Sequence, residues 1–290
     1  MLSNPMSVAI AYEFLRKSIA EIYSDQEAAS VSTIILEDVF GITKLKRLSN
    51  PEKEFNSTDL LRLTDFINRL LNHEPVQYVT GIAHFMDLKL EVNSNVLIPR
   101  PETEELLQWI IDDFLNSTKT VKVLDIGTGS GCIALALKKY LKSSEVYALD
   151  KSKNALNLAI NNANKNQLEV YFIHDDILFL SSKQLLKFDI IVSNPPYVLL
   201  SEKKLMNKNV LEHEPHLALF VDDSDPILFY KAIADYSLNN LNSKGLLYFE
   251  INEKYGEEIK IMLLNLNFIN IELRKDFFGK DRFIKAQMPL

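Results

Sequence analysis

Cys132 is the only cysteine in this 290-residue chain, so neither an intrachain disulfide nor a cysteine-based zinc site can form. A reducing, cytoplasmic setting is expected. No apolar run reaches the roughly 18 residues that a membrane span requires. Residues 1–18 also lack an apolar centre followed by a small-residue cleavage site, so they do not read as a signal peptide. A soluble chain with no membrane partner is expected. Positive charge is short as well: 32 Lys and Arg stand against 39 Asp and Glu, a net charge of -7. An acidic surface repels phosphate backbones, which disfavours non-specific nucleic-acid binding while leaving a local basic groove open. Glycine is scarce, with eight in all, yet three of them fall at positions 127, 129 and 131. That concentration is the first functional signal.

Residues 7–72 read as helical. Val8, Ala11, Phe14, Leu15, Ile19 and Ile22 recur at helical spacing, Ile34, Ile35, Leu36, Val39 and Phe40 precede Gly41, and Leu60, Leu63, Phe66, Ile67, Leu70 and Leu71 follow the cap-like Ser57-Thr58-Asp59. Helices this short gain most of their stability by packing apolar faces together, so a small helical domain is expected over residues 1–75. Over 76–100 the period changes. Alternation in Phe85–Val92, the turn residues Asn93-Ser94-Asn95 and the run Val96-Leu97-Ile98 suggest a linking β-hairpin. Pro101 then opens a helix, with Glu102, Glu104 and Glu105 near its positive end.

The remaining domain, 101–290, alternates strands and helices. Val121–Ile126, Glu145–Asp150, Val170–Ile173, Phe188–Ser193 and Leu246–Ile251 are apolar runs suited to buried parallel strands. Helical stretches lie at Cys132–Leu141, Lys153–Asn164, Pro226–Leu241 and Tyr255–Leu266, and the last two strands, Phe268–Leu273 and Arg282–Met288, suit an antiparallel pair. The fold class is α/β, a doubly wound sheet that binds ligands at the carboxyl ends of its strands.

The strongest motif is Asp125-Ile126-Gly127-Thr128-Gly129-Ser130-Gly131, where a strand runs through glycines into a helix. Missing Cβ atoms let the backbone turn sharply and approach a ligand. Asp150 ends the next strand and could accept hydrogen bonds from both hydroxyls of a ribose. Glycines and acid alone fit either a dinucleotide or another adenosine-bearing ligand.

Asp125 before the glycines and Asn194-Pro195-Pro196-Tyr197 after the fourth strand separate these candidates. The first arrangement resembles the S-adenosylmethionine loop of class I methyltransferases. The second resembles methyltransferases acting on a nitrogen conjugated to a planar group, whether a glutamine amide or an exocyclic amine of adenine (N6) or guanine (N2). The Asn194 side-chain oxygen and the Pro195 carbonyl could accept the two N–H bonds of such a nitrogen, while Tyr197 covers the planar group. Positioning and electrostatics would then lower the barrier without a strong base.

Nearly the whole chain resembles the release-factor glutamine methyltransferases, the HemK/PrmC family. The resemblance is carried by Glu74-Pro75-Val76-Gln77-Tyr78 with Gly81, by 96–104 (Val-Leu-Ile-Pro-Arg-Pro-Glu-Thr-Glu), by the glycine loop and Asn194–Tyr197, by Glu214-Pro215 with Ala218-Leu219, and by Asp276, Gly279 and Arg282. It implies a Rossmann-like class I methyltransferase domain behind an all-helical domain that docks the substrate. The implied reaction is methylation, by S-adenosyl-L-methionine, of the glutamine N5 in the Gly-Gly-Gln motif of class 1 peptide-chain release factors.

By this resemblance Asp125, Gly127, Thr128, Gly129, Ser130, Gly131, Asp150, Ile177 and Asn194 belong to the cofactor site. Asn194, Pro195, Pro196, Tyr197 and Arg100 belong to the substrate side, with Asn194, Pro195 and Tyr197 catalytic. Ribosomal-protein glutamine methyltransferases share much of the pattern but typically carry Pro-Arg-Ser-Pro where this chain has Pro-Arg-Pro-Glu-Thr. Two departures, His213 before Glu214-Pro215 and Ile251–Tyr255 after Glu250, are not expected to touch the transfer geometry. Asp175-Asp176 is followed by aliphatic Ile177 where some members place an aromatic over the adenine. His213 and His216 have metal-like spacing, but Pro215 lies between them and no third ligand is apparent, so no metal is expected. The rivals are a nucleic-acid amino-methyltransferase and a binding module that has lost catalysis.

Overall fold

The computed structural model describes residues 6–115, 117, 119–180 and 186–290. The chain divides into two compact units, Met1–Ile82 with Asn207–His213, and Ala83–Met206 with Glu214–Leu290. Residues 1–5 of the expected domain 1–75 lie outside the described residues.

The first unit is built on helices Val8–Ser18, Asp25–Phe40 and Ser57–Leu71, with shorter turns of helix at Lys44–Ser49 and Val76–Thr80. Ser24 and Glu27 form a capping box at the start of the second helix, and Gly41 ends it in the left-handed conformation at φ 65°. The third helix is capped by Asn56 with Asp59, one residue ahead of the expected Ser57. Leu15, Ile19, Ile35, Leu36, Leu63 and Leu70 are fully buried in one core. Leu71, expected on the same face, is partly exposed.

The second unit opens within a hairpin whose strands are Ile82–Phe85 and Leu88–Glu91. This differs from the expected span. Residues Val76–Thr80 are helical, the chain reverses at Met86-Asp87, and Val96–Ile98 is a buried irregular segment, not a strand.

Seven strands then form one sheet: β1 Val121–Ile126, β2 Ser144–Asp150, β3 Tyr171–His174, β4 Phe188–Ser193, β5 Leu241–Glu250, β6 Ile269–Lys275 and β7 Asp281–Gln287. Their order is β6-β7-β5-β4-β1-β2-β3. The pairs from β5 to β3 are parallel, and β7 is antiparallel to both neighbours. Both faces are covered, so successive residues of one strand feed two cores. Val121, Val123, Ile190, Val192 and Tyr248 pack with helices Pro101–Phe114 and Cys132–Tyr140. Leu124, Ile126, Ile191, Leu247 and Phe249 pack with helices Leu228–Asn240 and Gly256–Asn265. Continuous apolar strands are the consequence of that double burial. The direction of winding reverses between β1 and β4, which opens a crevice at their carboxyl ends. Among the described residues, no helix is long and apolar enough to cross a membrane.

Candidate active site

A cavity of about 240 Å³ occupies this crevice in the second unit. Gly127, Thr128, Gly129 and Ser130 line it from the end of β1, Asp150 from the end of β2, and Asn194, Pro195 and Pro196 from the end of β4. Arg100, Thr103, Ile177 and Cys132 also line it. The structure therefore brings together most of the residues singled out in the sequence, but sets Asp125, Gly131 and Tyr197 behind the wall.

The three glycines differ in purpose. Gly127 and Gly129 take φ of 76° and 54°, and a Cβ on either would meet open space. Their need is conformational. At Gly131, with φ 83°, a Cβ would come 3.2 Å from that of Ala159 and 3.3 Å from Leu135, so here glycine also permits close packing.

Asp125 is wholly buried beneath this turn. Its Oδ2 accepts from Thr128 Oγ1 at 2.6 Å and from the Ala134 amide at 3.2 Å, joining the two ends of the loop. Burial pushes its carboxyl up to about 7, against the pull of these two donors. Asp125 thus lies under the loop and does not itself line the cavity. Asp150 holds the other side: its Oδ2 accepts from the Gly129 amide and its Oδ1 from the Ser152 amide, each at 2.8 Å. Burial raises this carboxyl too, while the backbone donors oppose the shift.

Asn194 donates from Nδ2 to Thr103 Oγ1 at 3.2 Å. The Thr103 hydroxyl in turn donates to Glu250 Oε2 at 2.6 Å, and the Tyr197 hydroxyl donates to Glu250 Oε1 at 3.0 Å. Arg100, half-exposed, pairs at 2.5 Å with Glu214, whose side chain is buried and also accepts from the Ile98 amide at 3.1 Å. Asn252 Nδ2 donates to the Tyr197 carbonyl at 3.0 Å. The segment after Glu250, expected to lie apart from the site, therefore supports its proline-rich loop. Arg282 bonds Asp276 Oδ2 and the Ile251 carbonyl, tying the β6–β7 turn to the end of β5.

Thr103, Glu250 and Asn252 were not among the expected site residues. The available signal was an acid closing the apolar run Leu246–Phe249, where the sheet rule places ligand-binding groups. His213, in the first unit, donates from Nε2 to the Asn72 carbonyl at 3.0 Å. Among the described residues, no group of three or more His, Cys, Asp or Glu is placed to hold a metal ion.

Comparison with known proteins places the chain among methyltransferases. Residues 105–217 match the methyltransferase small domain, and residues 11–81 match the PrmC N-terminal domain. A methyltransferase from Pyrococcus furiosus, 18% identical, superposes with a TM-score of 0.53 over 81% of this chain and 100% of its own, a likeness of fold. The release factor glutamine methyltransferase of Flavobacterium psychrophilum is 45% identical over 93% of this chain and 95% of its own. That of Bacteroides thetaiotaomicron is 40% identical over 94% and 97%. Identity at that level along nearly the full length of both chains places this chain in the family of release factor glutamine methyltransferases.

Proposed function

We infer that this enzyme transfers a methyl group from S-adenosylmethionine to the side-chain amide nitrogen of a glutamine in a peptide-chain release factor. The observation that carries this reading is the near-full-length match to release factor glutamine methyltransferases, in a chain that sets Asn194-Pro195-Pro196 on the wall of a glycine-lined cavity. The finer reading is N5 of the Gly-Gly-Gln glutamine of class 1 release factors, docked with help from the helical domain of residues 1–75.

The residues present suit S-adenosylmethionine: open space above Gly127 and Gly129, a carboxylate at the end of β2, and aliphatic Ile177 on the same wall. Bound there, S-adenosylmethionine supplies a methyl group activated by a positively charged sulfur. Gly127–Ser130 seat it by backbone approach, Asp150 accepts from its ribose, and Ile177 covers the adenine. Asn194 Oδ1 and the Pro195 carbonyl accept the two amide N–H bonds of the glutamine and aim the nitrogen lone pair at the methyl. Pro196 stiffens this loop, Tyr197 fixes its outer end, and Arg100 borders the substrate side.

The amide nitrogen is a poor nucleophile because its lone pair is delocalised into the carbonyl. Acceptors that strengthen as it gains positive charge act mainly in the transition state. Acceptors of this kind also suit an exocyclic amine of a base, but the relatives' substrate and the net charge of -7 favour a protein.

Two measurements test this reading. Mass spectrometry of a release factor incubated with the enzyme and S-adenosylmethionine should show a one-methyl gain on the Gly-Gly-Gln glutamine. Methyl label on nucleic acid with none on any release factor would overturn it. Asp150→Ala should weaken S-adenosylmethionine binding by about 1–3 kcal/mol, the worth of hydrogen bonds to a buried ligand group. Calorimetry that finds the same affinity in a folded variant removes Asp150 from the ribose.

A further inference from the structure

An asparagine side chain can present either of two ends, an acceptor oxygen or a donor NH₂, and its terminal torsion distinguishes them only weakly. The reading of Asn194 as acceptor for the substrate amide requires the oxygen end. Rotated by half a turn, the side chain would face the substrate N–H bonds with N–H bonds of its own.

We propose that Glu250 and Thr103 are positioning residues that lock the Asn194 amide with its oxygen toward the substrate. The proposal rests on the glutamine-methylation reading and adds to it the part of the fold that sets the polarity of Asn194.

The argument follows the protons. Glu250 ends β5 and is 1% exposed. Burial raises this carboxyl, while the Thr103 and Tyr197 hydroxyls and the Arg282 charge favour its ionised form; ionised, it has acceptors and no donor. Both oxygens are engaged, Oε2 by the Thr103 hydroxyl at 2.6 Å and Oε1 by the Tyr197 hydroxyl at 3.0 Å. Each hydroxyl must therefore donate to Glu250. Thr103 has a single hydroxyl proton, so toward Asn194, 3.2 Å away, its oxygen can only accept. The end of Asn194 facing Thr103 must then be Nδ2, which leaves Oδ1 for the substrate.

Three separate elements supply this chain: the first turn of helix Pro101–Phe114, the end of β4 and the end of β5. The same carboxylate anchors Tyr197, so Glu250 holds both ends of the Asn194–Tyr197 motif. A hydroxyl bonded only to water could accept or donate at Asn194 with equal ease. The buried carboxylate removes that freedom.

The test is a set of five enzymes: wild type, Thr103→Val, Thr103→Ser, Asn194→Ala, and Thr103→Val combined with Asn194→Ala. Thr103→Val keeps the side-chain shape and removes the acceptor. Its kcat should fall about tenfold, the cost of one misdirected hydrogen bond. KM for S-adenosylmethionine should stay within about twofold, since the contact lies outside uniform cofactor binding. Thr103→Ser should restore most of the rate. In an Asn194→Ala background Thr103→Val should cost nothing further, because its effect runs through Asn194. A role in stability alone would instead lower the melting temperature without these kinetic signatures.

Isotope-labelled NMR reads the same contact without substrate. The Asn194 side-chain NH₂ signal should move in Thr103→Val and return in Thr103→Ser. A folded Thr103→Val enzyme with wild-type kcat, or an additive double variant, overturns the lock. A wild-type enzyme that methylates no release factor overturns the substrate reading instead, and the NMR signal then decides the lock: an unmoved signal overturns it.

Discussion

Asn194→Ala should retain S-adenosylmethionine binding close to wild type and lose methyl transfer by a factor on the order of 10²–10³ in kcat, the cost of removing one preorganised group aimed at developing charge. Asn194 stands at the end of β4, while the glycine loop and Asp150 stand at the ends of β1 and β2. The two halves of the cavity can therefore fail separately. In the ground state the glutamine amide is planar, and its N–H bonds are satisfied nearly as well by water. As the nitrogen pyramidalises toward the methyl its N–H bonds become more acidic, and a fixed acceptor then gains strength that water must reorganise to match. Single-turnover kinetics at saturating S-adenosylmethionine, with calorimetry of cofactor binding, separate the two effects. A variant that turns over at the wild-type rate would remove Asn194 from the mechanism, and one that fails to bind cofactor would assign it to the wrong half of the cavity.

Local patterns carried the sheet, because strands buried on both faces must be apolar at every position and Val121–Ile126 and Phe188–Ser193 are so in all but a residue or two. The glycine turn was legible for a similar reason: φ between 54° and 83° at three alternate positions calls for glycine. The hairpin was misplaced because its turn has no such marker. Met86 adopts φ 48° without being glycine, asparagine or aspartate, so the alternation seemed to run on as one strand from Phe85 to Val92. Val96–Ile98 is apolar because it is buried, and a short buried run looks alike in a loop and in a strand.

At the site, residue types were visible and their partners were not. In the sequence Asp125 is an acid before glycines, but whether its carboxylate points at a ligand or under the turn depends on Thr128 and Ala134 folding back over it. Thr103 meets Asn194 across 91 positions of sequence and Glu250 across 147. No local period encodes such meetings. They follow from the sheet order, which draws the ends of β4 and β5 and the start of one helix into the same crevice.

Glu214→Ala should destabilise the second unit by about 2–4 kcal/mol, within the range for leaving a buried donor and a paired charge without their acceptor. The residues from Val96 to Arg100 form no helix or strand, yet Val96 and Ile98 are buried, so no regular ladder of backbone bonds fixes their course. Glu214 ties the segment from the side. Its side chain is 1% exposed, with one oxygen on the Ile98 amide and the other on Arg100. Arg100 remains 31% exposed and can recover part of its hydration, which keeps the expected cost below that of a fully buried pair. The Ile98 amide has no such recourse. Trp109, the only tryptophan, is buried in this unit, so its fluorescence during urea unfolding reports the loss where it occurs. Glu214→Gln should lose less, because its amide oxygen can still accept from Ile98. Both variants should also bind S-adenosylmethionine more weakly, since Val96, Leu97, Pro99 and Arg100 line the cavity. A Glu214→Ala protein within about 0.5 kcal/mol of wild type would place it among substitutions far from any such feature, and show that the segment keeps its course by apolar burial alone.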